Sequence, residues 1–100
     1  MIIVYITCKD KKEANKIAKL MVEKKLAACG NIFPIESLYR WKGKVVNEKE
    51  TVLLLKTVDK NFEKIKKEVD KLHSYEVPCV LKINVKANVK YSEWVNGELK

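Results

Sequence analysis

The stretch that decides the fold is residues 28–58, which read ACGNIFPIESLYRWKGKVVNEKETVLLLKTV. Apolar and polar side chains alternate up to the turn Lys42-Gly43-Lys44, and a second run of strand-forming residues follows it. Period-two alternation is typical of a β-strand, and two such runs joined by a short turn containing glycine indicate a β-hairpin. We therefore predict strands over residues 28–42 and 45–58, with Pro34 restricting the first of them to a sheet edge.

The predicted hairpin is too long for the domain that carries it. A strand of about 14 residues spans roughly 46 Å, whereas a domain of this size has a diameter of roughly 35 Å. The tip must project, and a bare two-stranded ribbon is only marginally stable in water. We therefore expect the unpaired edge to join other copies of the chain in a closed oligomer, with a flexible arm as the alternative.

Large side chains near the tip are the predicted anchors of that assembly. They are Leu38, Tyr39 and Trp41. Aromatic side chains bury much apolar area and retain a polar group, which suits an interface between subunits. A platform for a substrate is the alternative interpretation of Tyr39 and Trp41.

The rest of the chain completes a split βαβ plan. The predicted elements are a strand over residues 2–7, a helix over 11–25, the hairpin, a helix that begins at Asp59, a strand over 79–86 and a short helix over 88–99. Asp10 with Glu13 has the spacing of a capping box, and Asp59 is expected to cap the second helix. This order predicts an α+β, ferredoxin-like βαββαβ sandwich with an antiparallel sheet of order 4-1-3-2, a long projecting hairpin and a short C-terminal helix. Residues 1–100 are expected to form one domain.

Composition narrows the functional classes. The three cysteines are odd in number and lack C-x-x-C spacing, which predicts no disulfide framework and a reducing, cytoplasmic setting. The apolar run at residues 1–6 is too short for a membrane span.

The net charge of +8 comes almost entirely from lysines, since Arg40 is the only arginine, and a nucleic-acid partner is therefore not expected. The three glycines form no phosphate-binding loop, and no catalytic signature is present, so the sequence does not indicate an enzyme.

The predicted topology places several potential metal-binding side chains at one end of the sheet. The first strand ends at Cys8, the second helix ends near His73, and the last strand begins at Cys79, so all three are expected together. Thiol and imidazole groups favour copper or zinc among the common ions. Core packing is the alternative for both cysteines, and a favourable interaction with the helix dipole is the alternative for His73.

Several segments resemble the CutA family of divalent-cation-tolerance proteins. They are residues 25–32 (KLAACGNI), 37–44 (SLYRWKGK), 55–57 (LKT) and 73–78 (HSYEVP), together with Tyr91-x-x-Trp94. The resemblance implies a ferredoxin-like subunit, a tight cytoplasmic homotrimer and a role in heavy-metal tolerance with copper-type ion binding. It implies no obligatory cofactor, with Cu²⁺ or another divalent cation as an ion that can bind. His73 matches the family's proposed histidine ligand, whereas the family's cysteine position aligns with Ile6, two residues before Cys8.

The resemblance also implies an alternative function. The family trimer is similar to that of PII signalling proteins, which favours small-molecule sites in the clefts between subunits. On this interpretation Lys56, Tyr75 and Glu48 line a cleft that takes a small anionic ligand. The sequence leaves metal binding and ligand sensing as competing hypotheses.

Overall fold

Four strands form one antiparallel sheet, and three helices accompany it. The computed structural model describes residues 1–100. The elements are β1 (Ile2–Cys8), α1 (Lys11–Glu23), β2 (Cys29–Trp41), β3 (Lys44–Thr57), α2 (Phe62–Leu72), β4 (Val80–Asn84) and α3 (Val89–Glu98). The strand order is β2-β3-β1-β4, with each neighbouring pair antiparallel. Read from the other edge this is 4-1-3-2, which confirms the predicted ferredoxin-like plan.

The start of α1 contains the predicted capping pair in a modified form. The Glu13 backbone N–H donates to Asp10 Oδ1 at 2.8 Å. In return, the Glu13 carboxylate accepts from the backbone N–H of Lys9 at 3.0 Å. In a usual capping box, the acidic side chain accepts a hydrogen bond from the backbone N–H of the N-cap residue itself. Here the return bond reaches one residue further back, towards the end of β1.

The start of α2 differs from the prediction, because Asp59 does not cap a helix. It opens a 3₁₀ turn over Asp59–Asn61, and neither that turn nor α2 has a side-chain cap. The Asp59 carboxylate instead accepts a hydrogen bond from Lys82 Nζ at 2.7 Å. Asn61 donates to the backbone carbonyl of Leu26 at 3.2 Å. The acidic side chain is thus engaged by the neighbouring strand rather than by the helix.

The core lies between α1, α2 and one face of the sheet. Alternate residues of β1 are buried on this face, and the central apolar residues of α2, Ile65 and Val69, are buried against it. We call the opposite side the open face. Leu81 and Ile83 of β4 pair with Tyr5 and Ile3, which places them on the open face, where they are 51% and 43% exposed. The apolar side of β4 therefore faces away from the helices.

The hairpin extends well past the sheet. β1 pairs with β3 only from Ile2↔Thr57 to Cys8↔Thr51, whereas β2 pairs with β3 as far as Trp41↔Lys44. Residues 44–50 of β3 therefore have β2 as their only neighbour. The chain measures 45 × 25 × 21 Å. The far edge of β2 has no strand partner within the chain.

Gly30 of β2 supplies a first test of this packing. A Cβ at this position would lie 3.2 Å from Ala18 Cβ of α1 and 3.2 Å from Leu53 Cδ1 of β3. Although Ala is normally favoured over Gly in a strand, we expect Gly30→Ala to lower the free energy of unfolding by about 1–3 kcal/mol because the site is overpacked. Guanidinium denaturation at a fixed protein concentration measures the change.

Gly97 is the matched control. It lies in α3, and a Cβ added there meets no atom within 4 Å. Gly97→Ala is expected to raise the free energy of unfolding by about 0.5 kcal/mol, since alanine is the better helix former. Equal effects of the two substitutions would contradict close packing of α1 on β2.

Candidate functional site

The sheet separates the predicted metal ligands at the end of β1. Thr7 and Cys8 are neighbours in this strand, so their side chains point to opposite faces. Cys8 is fully buried on the helix side, whereas Thr7 and Cys79 line a cavity on the open face. His73 lies with Cys8. The structure therefore brings two of the three predicted ligands together and places Cys79 elsewhere.

A third donor completes what we call the buried cluster, which consists of Cys8, Glu13 and His73. Each residue contributes one ligand atom, and all three atoms lie within 4.8 Å of one another. β1 supplies the thiol, the first turn of α1 supplies the carboxylate, and the residue after α2 supplies the imidazole. A sulfur, oxygen and nitrogen donor set suits borderline divalent ions.

His73 is held by both of its ring nitrogens. Nε2 lies 2.7 Å from the carbonyl oxygen of Thr7 and donates to it, because a carbonyl only accepts. The backbone N–H of Tyr75 donates to Nδ1 at 3.0 Å. The side chain is 0% exposed. These bonds make Nε2 the donor and Nδ1 the acceptor, and Nε2 lies 3.9 Å from a Glu13 oxygen.

Glu13 is the member of the cluster that sequence reasoning missed, since its capping-box spacing explained it fully. Its second carboxylate oxygen accepts from the backbone N–H of Ser74 at 2.9 Å. Burial raises the pKa of Glu13, but the hydrogen bonds from Lys9 and Ser74, with a smaller effect of His73, outweigh it and hold the pKa below the ordinary 4.5. The carboxylate thus ties α1 to the segment after α2.

Cys8 is a protonated thiol at neutral pH. Burial raises its pKa to about 12, and the charges of Glu13, Asp10 and Glu50 add to the effect. A metal ligand must be the thiolate. The donor types therefore fit a divalent ion, which would have to displace the thiol proton and compete with the hydrogen bond from His73 Nε2 to Thr7.

The open face carries a second feature, which we call the acidic cavity. Its volume is about 640 Å³. Twelve residues line it: Thr7, Ser37, Leu38, Tyr39, Trp41, Glu48, Glu50, Ser74, Tyr75, Glu76, Val77 and Cys79. Burial and then the charges of Glu50 and Glu48 raise the pKa of the Tyr75 phenol. Three carboxylates and no cationic side chain line this space.

The three residues predicted for an anion cleft are only partly together. Tyr75 and Glu48 both line the acidic cavity, whereas Lys56 does not. Lys56 donates to the Asn31 side chain, and its ammonium group lies 6.0 Å from the centre of the Tyr91 ring. The only cation of the predicted set is therefore engaged beside α3.

The predicted interface residues lie on the projecting part of the hairpin. Leu38 is 70% exposed and Trp41 is 39% exposed, while Tyr39 is half-buried. Tyr39 and Trp41 share the open face, and Leu38 lies on the other side of the ribbon. The ribbon thus presents apolar surface on both sides.

Comparison with known proteins identifies relatives of this chain. Residues 2–98 match the family described as CutA1 divalent ion tolerance protein. The chain is 40% identical to the divalent-cation tolerance protein CutA of Archaeoglobus fulgidus over 94 residues, which cover 93% of this chain and 92% of that protein. It is 42% identical to the CutA protein of Thermus thermophilus over 95 residues, with 93% and 92% covered.

Solved structures agree over the whole chain. The Archaeoglobus fulgidus structure, described as a periplasmic divalent cation tolerance protein, superposes with a TM-score of 0.97 at 37% identity and covers 100% of both chains. A protein of Nostoc sp. PCC 7120, described as PII-like protein CutA in apo form, gives a TM-score of 0.92 at 33% identity, with 100% of this chain and 98% of that chain covered. None of the helices combines the length and apolar character needed to cross a bilayer.

Glu13→Gln tests the electrostatics of the buried cluster. Because the pKa of Glu13 in the folded chain lies below its ordinary 4.5, its stabilisation is present above that pH and is lost as the pH falls through the folded value. We expect the substitution to lower the free energy of unfolding by about 1–3 kcal/mol at pH 7, and the difference from wild type to shrink below pH 4.5. Denaturant melts from pH 3 to 7 measure it.

Glu63→Gln is the control for general charge effects. Glu63 lies on α2 with a 72% exposed side chain and pairs only with the exposed Lys66. Its substitution is expected to change stability by less than about 0.5 kcal/mol throughout. The same pH profile for both variants would show that the Glu13 hydrogen bonds contribute nothing specific.

Proposed function

This chain belongs to the CutA1 divalent ion tolerance family, and we propose that it acts in tolerance to divalent metal ions by binding them, without catalysis. The proposal places a copper-type ion at the buried cluster, in a protein that works as a homotrimer. The observation that carries it is the convergence of Cys8, Glu13 and His73, whose ligand atoms lie within 4.8 Å of one another. Glu13 replaces Cys79 in the proposed ligand set, because Cys79 lies on the open face.

Proton release is the chemical signature of this site. The ion takes the thiolate of Cys8, whose pKa is about 12 in the folded chain, so binding expels one proton. His73 would bind the ion through Nε2, which would give up its hydrogen bond to the Thr7 carbonyl; the Nε2 proton would move to Nδ1, which would then give up the hydrogen bond from the Tyr75 N–H. Because a proton competes with the metal, affinity is expected to rise with pH, by up to ~tenfold per unit.

Calorimetric titration with Zn²⁺, which is redox-inert, and with Cu²⁺ tests the proposal. We expect Cys8→Ser and His73→Gln to weaken binding by at least ~tenfold, because each removes a direct ligand. Wild-type affinity should increase between pH 6 and pH 8. Thermal melts of each variant separate loss of a ligand from loss of folding.

Two other thiols provide matched controls. Cys29 begins β2 at the far end of the subunit, and Cys79 lies on the other face of the sheet. Cys29→Ser and Cys79→Ser are expected to leave the affinity within about twofold of wild type. Binding that is lost in Cys79→Ser but kept in Cys8→Ser would refute the proposed ligand set.

The trimer part of the proposal is supported by the hairpin. The outer edge of β2 offers unpaired backbone groups, and exposed Leu38 lies along that strand. Pairing with another copy satisfies those groups and covers apolar surface. Free cysteines at three positions are typical of a reducing compartment and support a cytoplasmic location.

Sedimentation tests the trimer. Wild type is expected at about 35 kDa, three times the 11.6 kDa of one chain. Leu38→Asp should dissociate it by burying a charge at the interface, whereas Val89→Asp should not, although Val89 is equally exposed at 71% against 70% for Leu38. A wild-type protein that sediments as a monomer would overturn this part of the proposal.

A PII-like sensor of small anions is the second candidate, favoured by the Nostoc relative described as PII-like. The acidic cavity gives it little support, since its carboxylates repel an anion and Lys56 lies outside it. The charge of this cavity favours a ligand of the opposite sign.

A further inference from the structure

A shallow groove lies between α1 and α2 on the outer surface of the helices. We call it the helix groove, and four of its lining residues belong to α1 and one to α2: Lys16, Lys19, Leu20, Glu23 and Leu72. It is on the side of the helices away from the sheet, and none of its residues belongs to the hairpin that the proposed trimer uses. Its volume of about 260 Å³ is below the ~300–1,000 Å³ of most small-molecule sites. The groove is therefore of a size to receive a few side chains rather than a whole small ligand.

A row of lysines follows the exposed side of α1 beside this groove. Lys12, Lys16 and Lys19 are separated by four and three residues, so they lie on the same side of the helix. All three are exposed, and none forms an ion pair. Glu23 is the only carboxylate that lines the groove, and it pairs with none of them. The positive charge along this side of α1 is thus not neutralised within the chain.

The second helix carries a similar row. Lys64, Lys67 and Lys71 of α2 are separated by three and four residues and are exposed. Among them only Lys71 has a carboxylate within reach, since its ammonium group lies 4.0 Å from Glu68. The groove therefore lies between two helices that both present lysines to solvent.

The row on α1 is unfavourable for the free protein. Like charges three or four residues apart on a helix repel each other. Lys12 also lies in the first turn of α1, where the helix dipole disfavours a cation. Two half-buried side chains, Leu20 and Leu72, add apolar surface beside these charges. Local features that lower stability are expected where a function uses them, and an anionic partner with apolar side chains would offset both.

We propose that the helix groove binds an acidic, amphipathic helical segment of another protein, whose apolar side chains contact Leu20 and Leu72 and whose carboxylates pair with the lysines on either side. Docking of an amphipathic helix in a groove is a common mode of peptide recognition. Lysine lacks the planar fork with which arginine holds phosphate by two bonds, so these rows suit carboxylates. This site is independent of the metal site and adds a protein partner to the proposed function.

Fluorescence anisotropy with a labelled synthetic peptide tests the inference. The probe is a helix-forming peptide of ~15 residues with leucines along one side and glutamates on the other sides. A second peptide with glutamine in place of every glutamate is its control. Wild type is expected to bind the acidic peptide at least ~tenfold more tightly than the neutral one at low ionic strength. Added salt should reduce that difference.

Paired substitutions locate the binding surface. Lys16→Gln combined with Lys19→Gln should weaken binding of the acidic peptide by roughly fivefold, because two charge pairs are lost. Lys86→Gln combined with Lys90→Gln removes the same charge from exposed positions outside α1 and α2 that form no ion pair. This control should stay within about twofold of wild type. Leu20→Gln should weaken binding of both peptides, because it removes apolar contact area.

Thermal melts and Zn²⁺ titration of the Lys16→Gln, Lys19→Gln protein complete the test. Its melting temperature at low ionic strength should be unchanged or raised, because the substitutions remove repulsion along α1. Weaker peptide binding then does not reflect unfolding. Its Zn²⁺ affinity should equal that of wild type, and Cys8→Ser should keep its affinity for the peptide. Failure of the groove is thus distinguishable from failure of the metal site.

Three results would overturn the inference. The first is a wild type that does not bind the acidic peptide. The second is an equal loss of affinity in the two lysine pairs, which would reduce binding to general attraction by a basic protein. The third is unchanged peptide affinity in Leu20→Gln together with equally tight binding of duplex DNA or of phosphatidylserine vesicles, which would make the helix surface a site for polyanions without a role for the groove.

Discussion

The limited pairing between β1 and β3 is the constraint on which the rest of the structure depends. β1 is seven residues long and ends opposite Thr51, so it covers only half of β3. The other half of β3 continues with β2 alone, and the hairpin is left without support from the sheet. Glu50 is the first residue beyond the end of β1, so the acidic cavity opens at the point where the sheet narrows from four strands to two. The unsupported hairpin and the acidic cavity therefore both originate in the shortness of one strand.

The alternation of side chains along β1 then divides the chemistry between two faces. Ile6 and Cys8 point into the dry core, where burial keeps the thiol protonated. Thr7 points to the open face, where carboxylates and aromatic rings surround a cavity of about 640 Å³. A single peptide bond separates two environments of opposite character. The helix side brings a thiol, a carboxylate and an imidazole together, and the open side holds three carboxylates around a larger space.

Much of the fold was predictable from local patterns. Alternation in residues 28–58 and the capping spacing of Asp10 and Glu13 depend on neighbours in the chain, and the structure confirms the strand order that they imply. The sites were less predictable because they depend on contacts between distant residues. Glu13 reaches Ser74, 61 residues away, and no local signal marks that contact. Asp59 is a residue type that often caps helices, but its carboxylate accepts a hydrogen bond from Lys82 of β4 instead. The side of the sheet that Cys79 occupies follows from its position beside Thr7, which only the register fixes.

The segment after α2 touches both sites at once. The backbone N–H of Ser74 holds Glu13 in the buried cluster, while Ser74 and Tyr75 line the acidic cavity. His73 and Tyr75 are further joined by a hydrogen bond and by rings 4.6 Å apart. Any displacement of His73 from the Thr7 carbonyl would therefore be transmitted to Tyr75, which lines the cavity. The segment therefore links the two faces of the sheet, and thermodynamic reciprocity would make any effect of a ligand on one face upon binding at the other face mutual.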